Sequence, residues 1–171
     1  MIPEEYLEIV DVNGEVIGSA PRSKVHGDPS LVHRVVHVLL LNKDGEILLQ
    51  KRSENKDVAP GRWDTSVGGH VGMEEDLITS SRREMLEELG VTGDESEYLY
   101  SYTHSNAYET ELVTTFRHVY DGGFSFNREE IDEIRFWSFD EIRQAVGKGI
   151  FSDNFEHEFS KYIHHLGIDS S

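Results

Sequence analysis

The segment that most constrains the fold is residues 69–91, which predicts a helix with carboxylates on one side and apolar residues on the other. At about 100° per residue, Glu84, Glu87 and Glu88 lie within an arc of roughly 100°. The apolar residues on the opposite side are Ile78, Met85, Leu86 and Leu89. We expect this apolar side to pack on a sheet, because a helix of this pattern buries its apolar stripe.

Three carboxylates on one helical face repel one another unless a cation neutralises them. In so acidic a chain, the spacing of these glutamates alone is typical of a solvated helical face. The alternative is a metal site. Hard oxygen ligands suit Mg²⁺ or Mn²⁺, and Mg²⁺ is usually held by a few carboxylates together with substrate phosphates. A metal site of this kind indicates a reaction at phosphorus.

The composition limits the partners of the chain. Its 171 residues include 33 acidic and 16 basic ones, a formal net charge of −17, which repels nucleic acids and anionic membranes. The absence of cysteine excludes disulfides, thiolate metal sites and cysteine nucleophiles. The longest apolar run, residues 35–41, is too short to span a bilayer, and the first residues lack a signal-peptide pattern. We therefore expect a soluble cytoplasmic protein.

The chain as a whole predicts one domain, residues 1–171, without repeats or long linkers. Residues 1–30 are expected to form an N-terminal hairpin and lead-in, with a two-residue turn at Asn13-Gly14. Strands are predicted at residues 6–10, 15–20, 32–41, 47–52, 98–103, 112–120 and 134–138. Helices are predicted at residues 76–89, 139–146 and 153–166, with Gly90 ending the first and Ser138 and Ser152 capping the others. This order predicts a mixed sheet with helices packed on it, of α/β or α+β class.

The spacing of particular residues across 69–91 resembles the Nudix box and matches it without a departure. The matching residues are Gly69, Glu75, Arg83, Glu84, Glu87, Glu88 and Gly90. The resemblance implies the Nudix fold, an α/β/α sandwich with a central mixed sheet. It also implies metal-dependent hydrolysis of a diphosphate linkage in a nucleoside diphosphate derivative or a related small molecule, by attack of water at phosphorus.

The same resemblance implies roles for individual residues of the box. Glu84, Glu87 and Glu88 would bind Mg²⁺ or Mn²⁺, together with the carbonyl oxygen of Gly69. Arg83 would hold the helix carboxylates in place through paired hydrogen bonds. The partner of the protein would accordingly be a small-molecule diphosphate.

Five further positions resemble the metal ligands of type I isopentenyl diphosphate isomerase, a Nudix-fold enzyme, and this similarity extends over residues 23–137. The five positions are His26, His33, His70, Glu109 and Glu111. The resemblance implies a second metal site near the box, and imidazole ligands favour a transition metal such as Mn²⁺ or Zn²⁺. Its occupancy is expected to fall as the pH drops through about 6. The isomerase holds its diphosphate with basic residues at the positions of Arg22, Arg52, Lys56 and Arg83.

Two differences separate the chain from that isomerase. Gly68 stands where the isomerase carries a catalytic cysteine, and the box is complete here whereas it is degraded in the isomerase. We therefore expect a hydrolase, with an isomerase and a non-catalytic diphosphate-binding module as the alternatives. The candidates for the general base are Glu87 and, from a different strand, Glu109 or Glu111.

The remaining expectations are less specific. Trp63 is a candidate to stack on a substrate base, to pack in the core or to form a wall of the cleft. For the five isomerase-type positions, the alternative to a metal site is that the histidines satisfy local hydrogen bonds, as most single histidines do. His37 and the other histidines are assigned no role. The protein is expected to be a monomer or a homodimer.

Overall fold

The computed structural model describes residues 4–56, 58–93 and 95–168. The strands in these ranges are β1 (Tyr6–Val10), β2 (Val16–Pro21), β3 (Val32–Leu41), β4 (Ile47–Arg52), β5 (Trp63–Asp64), β6 (Val67–His70), β7 (Glu97–Ser105), β8 (Thr110–Val119) and β9 (Ile131–Trp137). The helices are α1 (Arg22–Val25), α2 (Leu77–Leu89), α3 (Phe139–Ala145) and α4 (Asp153–His165). No described helix is both long and apolar enough to cross a membrane.

The strands form one mixed sheet built around β3, which confirms the predicted class. β3 runs antiparallel to β1, β4 and β6 and parallel to β8. The sheet continues through β2 beside β1, through β7 beside β8, and through β5 and β9 beside β4. The pairing of β6 with β3 brings the first residues of the box beside the middle of β3, with His70 opposite Val35.

Helices cover both faces of the sheet because β3 is apolar on both faces. Leu39 and Leu41 belong to one core cluster with Phe155 of α4. Leu40 belongs to a second cluster with Met85 of α2. Neighbouring residues of a strand point to opposite faces, so one strand contributes to both cores. The architecture is the α/β/α sandwich that the sequence predicts.

Local capping signals place the helix ends as predicted. The Asp76 side chain accepts a hydrogen bond from the N–H of Thr79 at the start of α2, and Gly90 ends the helix with φ of 67°. Ser138 caps α3 in a capping box, and Ser152 caps α4. These ends depend on one or two side chains that are adjacent in sequence, which explains why sequence reasoning finds them.

Three local predictions are wrong or incomplete. Asn13-Gly14 does not form a two-residue turn, because residues 11–15 form a longer loop in which the Asp11 carboxylate accepts hydrogen bonds from the N–H groups of Asn13 and Glu15. Leu86 does not pack on the sheet and is 51% exposed, because it lies about 100° from Met85 around the helix axis. The short elements α1, β5 and β6 have no counterpart among the predictions.

Candidate functional site

Most of the predicted site residues line one pocket of about 340 Å³, formed by residues of β3, β4, β6, α2 and β8 and of the loops around them. The predicted residues that line it are Arg22, His26, Arg52, Lys56, Gly69, His70, Glu84, Glu88, Glu109 and Glu111. They come together because β6 and β8 both pair with β3, and α2 follows the loop after β6. Sequence-distant carboxylates, imidazoles and cations thus share one cavity.

The box carboxylates differ in their exposure. The carboxyl group of Glu88 is buried, and Oε1 accepts a hydrogen bond of 2.8 Å from Nε2 of Gln50. Burial is the main cause that raises the pKa of Glu88 well above its ordinary value, and burial also raises the pKa of Glu84. Glu87 is exposed and lines a neighbouring cavity together with Glu84 and Glu88. The three carboxylates therefore lie on one side of α2 but differ in burial, since Glu87 is exposed and the carboxyl group of Glu88 is buried.

Gly69 and Glu84 are in close contact. A Cβ atom at Gly69 would collide with the carboxyl group of Glu84. A glycine at this position therefore allows the first residues of the box to lie directly against the carboxylates of α2.

Arg83 connects α2 to the loop before it. Its Nε and Nη2 atoms donate hydrogen bonds to both carboxylate oxygens of Glu75, at 3.0 and 2.9 Å. Nη1 donates to Glu84 at 2.8 Å and to Glu87 at 3.4 Å, and Nη2 also donates to the carbonyl oxygen of His70 at 3.1 Å. Arg83 does not line the pocket, and its donors are used by the carboxylates of the box, which favours the role of holding these carboxylates over a contact with a diphosphate.

The five isomerase-type positions also come together. Nε2 of His33 lies 3.8 Å from Oε2 of Glu109 and 3.7 Å from Oε2 of Glu111, and Nε2 of His26 lies 3.2 Å from Oε2 of Glu109. The ring centroid of His70 is 5.2 Å from that of His33 and 5.5 Å from that of His26. The candidate ligand atoms of the three imidazoles lie within 4.8 Å of one another. The parallel pairing of β3 with β8, with His33 opposite Glu111, produces this juxtaposition.

The electrostatics of this cluster favour neutral imidazoles and a protonated carboxyl group. Burial is the main cause that lowers the pKa of His26 to about 4 and that of His33 to about 3. Burial, followed by the charge of Glu109, raises the pKa of Glu111 to about 8. His26 and His33 therefore stay neutral well below pH 6, so protonation of these two imidazoles would not release a metal near pH 6. A cation would instead compete with the proton of Glu111.

Two contacts at this cluster were not predicted. Nδ2 of Asn154, in the first turn of α4, donates a hydrogen bond of 2.9 Å to Oε1 of Glu111. Oε1 of Glu5 lies 3.1 Å from Nδ1 of His70. Both contacts join residues far apart in sequence. Nothing in the sequence around Asn154 or Glu5 indicates which residue each of them contacts.

Trp63 is a partly buried residue beside a core cluster. It packs against the first core cluster, with its ring centroid 5.3 Å from that of Trp137 in an edge-to-face arrangement. It is not among the residues that line the pocket, which favours core packing over the predicted substrate contact.

Comparison with known proteins identifies the family. The NUDIX domain model matches residues 31–159. An isopentenyl-diphosphate Delta-isomerase of Serratia proteamaculans is 30% identical over 145 residues, which are 84% of this chain and 80% of the relative. Nudix hydrolase 3 of Arabidopsis thaliana is 31% identical over 160 residues, which are 85% of this chain but only 21% of that longer protein.

A solved structure has the same fold. The crystal structure of DR0079 from Deinococcus radiodurans superposes with a TM-score of 0.79 at 25% identity, over 92% of this chain and 98% of that one. The family match covers most of the sheet, the box and the helices around the pocket. The chain belongs to the NUDIX domain family, whose hydrolases act on pyrophosphate linkages.

Proposed function

We propose that this protein hydrolyses a diphosphate linkage in a small molecule, in a metal-dependent reaction in which water attacks phosphorus. The observation that carries the proposal is that the pocket combines box carboxylates Glu84 and Glu88 with the basic residues Arg22, Arg52 and Lys56. A diphosphate needs cations around it, and a chain of net charge −17 supplies them only locally. The pocket provides such a local group of cations.

The residues of the pocket fit divalent metal ions. Among the described residues, Glu88 Oε2, His33 Nε2, His26 Nε2 and Glu109 Oε2 are buried polar atoms without a hydrogen-bond partner. Buried polar atoms rarely remain without a partner, and metal ions bound in the pocket would satisfy these atoms. The imidazole nitrogens and carboxylate oxygens of the cluster suit Mn²⁺ or Zn²⁺, whereas an all-carboxylate group suits Mg²⁺ or Mn²⁺.

We assign two groups of metal-holding residues. The box group consists of Glu84, Glu87, Glu88 and the carbonyl of Gly69, and the second group consists of His26, His33, His70, Glu109 and Glu111. A bound divalent ion would polarise a phosphoryl oxygen and lower the pKa of a nearby water. Arg83 keeps the box carboxylates in position, and the basic residues of the pocket neutralise the diphosphate.

The general base has two candidates that differ in environment. Glu111 is buried, its pKa is raised to about 8, and Asn154 orients its carboxyl group. Glu87 is exposed at the end of a neighbouring cavity and contacts Arg83. We favour Glu111, which lies deeper in the pocket.

An isomerase is the second candidate, because the imidazole–carboxylate cluster is assembled and a relative named isopentenyl-diphosphate Delta-isomerase is 30% identical. Against it, the chain contains no cysteine, and Gly68 provides no acidic side chain in the pocket. The group that would protonate the alkene from this position is therefore missing. Hydrolysis requires only groups that the pocket contains.

The experiment is a panel of diphosphates incubated with Mg²⁺ and with Mn²⁺. The panel includes nucleoside diphosphate derivatives, dinucleoside polyphosphates and isopentenyl diphosphate, and the products are analysed for phosphate, pyrophosphate and double-bond migration. The proposal expects cleavage of at least one diphosphate, abolished by a chelator and restored by metal. Double-bond migration without phosphate release would instead support the isomerase, and binding without turnover would support a non-catalytic module.

A further inference from the structure

A second ionisable pair lies at the floor of the pocket, and none of the roles assigned above uses it. His37 of β3 lines the pocket and is 5% exposed, whereas Glu158 of α4 is completely buried. Nδ1 of His37 lies 2.7 Å from Oε1 of Glu158. The pair thus connects the pocket to the core on the α4 side of the sheet.

Glu158 is surrounded by hydrogen-bond donors. The hydroxyl groups of Tyr102 and Thr115 donate to Oε1 at 3.0 and 2.7 Å, and the hydroxyl of Tyr100 donates to Oε2. An ionised carboxylate accepts all of these bonds, whereas a protonated one would have to donate. Burial opposes ionisation, but the hydrogen bond and charge of His37 hold the pKa of Glu158 below its ordinary value. Nδ1 of His37 is therefore the donor in its bond to Glu158.

This arrangement leaves Nε2 as the nitrogen of His37 that is available to a ligand. A Cβ atom at Gly68 would lie 3.3 Å from Cδ2 and 3.7 Å from Nε2 of His37. Gly68 lines the same pocket, so a side chain at this position would project over the ring. With glycine there, the edge of the imidazole that carries Nε2 faces the cavity.

The charges around His37 favour the protonated form of the ring. Burial by itself lowers the pKa of His37, but the hydrogen bond and charge of Glu158, with a further contribution from the charge of Asp64, raise it above its ordinary value. Burial is the main cause that lowers the pKa of His104, and the charge of His37 lowers it further. A protonated imidazole has N–H donors at both nitrogens, so Nε2 is a donor as well.

We propose that His37 is a further substrate-binding residue, which donates a hydrogen bond from Nε2 to a phosphate oxygen at the floor of the pocket, and that Glu158 is the residue that positions it. The inference rests on the proposed function, because it takes the ligand of the pocket to be a diphosphate. It adds a buried cation to the more exposed cations Arg22, Arg52 and Lys56. Charge-assisted hydrogen bonds to phosphate are among the stronger ones in proteins.

The test uses methylenediphosphonate, whose P–C–P linkage cannot be hydrolysed, in the presence of Mg²⁺. Its affinity is measured by calorimetry, and the imidazole of His37 is followed by NMR in protein labelled with ¹⁵N-histidine. We expect the Nε2 resonance of His37 to shift when the diphosphonate binds. In His37→Asn, the side-chain amide keeps a donor toward Glu158 but has no counterpart of Nε2. The affinity for the diphosphonate should therefore fall about tenfold.

The matched control is His118→Asn. His118 is also a buried histidine of the sheet, but it contacts Ser96 and does not line the pocket. The control should bind the diphosphonate as the wild type does. In Glu158→Gln the shape is kept and the charge removed, so the NMR titration midpoint of His37 should move to lower pH and the affinity should decrease. A purely structural role of Glu158 would not move that midpoint.

The outcomes separate the two proposals. If the wild type binds the diphosphonate but the His37 resonance does not respond, or if His37→Asn binds as tightly as the wild type, the role of His37 is refuted and the proposed function stands. If the wild type does not bind the diphosphonate at all, both are contradicted. The NMR measurement on the wild type decides the question even if the variant fails to fold.

Discussion

Arg83 and Glu75 form a two-point pair, in which Nε donates to Oε2 at 3.0 Å and Nη2 donates to Oε1 at 2.9 Å. The hydrogen bond from Arg83 is the main cause that lowers the pKa of Glu75 to about 2. The same guanidinium contacts Glu84 and the carbonyl oxygen of His70. One side chain therefore fixes the loop that enters the box relative to a carboxylate that faces the pocket.

Arg83→Lys should lower turnover about tenfold while the protein stays folded, because an ammonium group cannot reproduce a planar, two-point contact with a carboxylate. Steady-state kinetics on a responsive diphosphate, together with circular dichroism, measure both effects. Arg143→Lys is the control, since Arg143 contacts Asp140 on α3 and does not line the pocket. Full turnover in Arg83→Lys would show that the box carboxylates do not need this pair.

Glu88→Gln and Glu87→Gln should each lower turnover by about a hundredfold or more, because each removes a negative charge from the proposed metal site. Glu133→Gln is the matched control: Glu133 is exposed on β9 and lies outside the pocket. Phosphate release is measured under saturating metal, and the fold is checked by circular dichroism. Near-normal turnover in both box variants would remove the box from the mechanism.

The metal-free protein should lose stability as the pH rises from about 6.5 to 8, because the pKa of Glu111 is about 8 in the folded state and near 4.5 when unfolded. In that window the folded state binds more protons than the unfolded state, so stability falls with rising pH. The lowered pKa values of His26 and His33 have the opposite effect, because they make stability rise with pH, but this effect is confined to pH values below 6.5. Melting temperatures measured with a chelator at each pH test this prediction.

Glu111→Gln removes the titrating group and provides the comparison. Its melting temperature should decline less than that of the wild type across the same pH range. If the melting temperatures of the two proteins changed with pH in the same way, the pKa of Glu111 would not be raised in the folded state.

Mn²⁺ should raise the melting temperature of the wild type in a concentration-dependent way, because a ligand that binds only the folded state stabilises it. His33→Asn should shift the effect to higher Mn²⁺ concentrations, since Nε2 of His33 lies within 4 Å of carboxylate oxygens of both Glu109 and Glu111. His118→Asn should respond as the wild type does. An unchanged melting curve of the wild type at millimolar Mn²⁺ would favour the interpretation of a solvated acidic face.

The sequence predicts those parts of the fold that depend on neighbours along the chain. The ends of α2 follow from Asp76 and Gly90, and the limits of β3 and β4 follow from their apolar runs. The exposure of Leu86 was not predicted because its position relative to the sheet depends on how α2 is rotated, which Met85 and Leu89 determine.

The pair His37–Glu158 shows why part of the site could not be predicted. The two residues are 121 positions apart, and their contact depends on how α4 packs on β3. One signal was available: Glu158 stands among the apolar residues Phe155, Phe159 and Tyr162 at helical spacing. A carboxylate on the buried face of a helix requires partners, although the pattern does not say which residues they are.

The most direct test of the central claim is the fate of solvent oxygen when the wild-type protein acts on a diphosphate in ¹⁸O-labelled water. The products formed with Mg²⁺ or Mn²⁺ are analysed by mass spectrometry. Our account predicts cleavage of the diphosphate linkage with ¹⁸O incorporated into a product phosphate group, and no cleavage after chelation. Cleavage without ¹⁸O in phosphate, or no cleavage of any diphosphate in the panel with either metal, would contradict it.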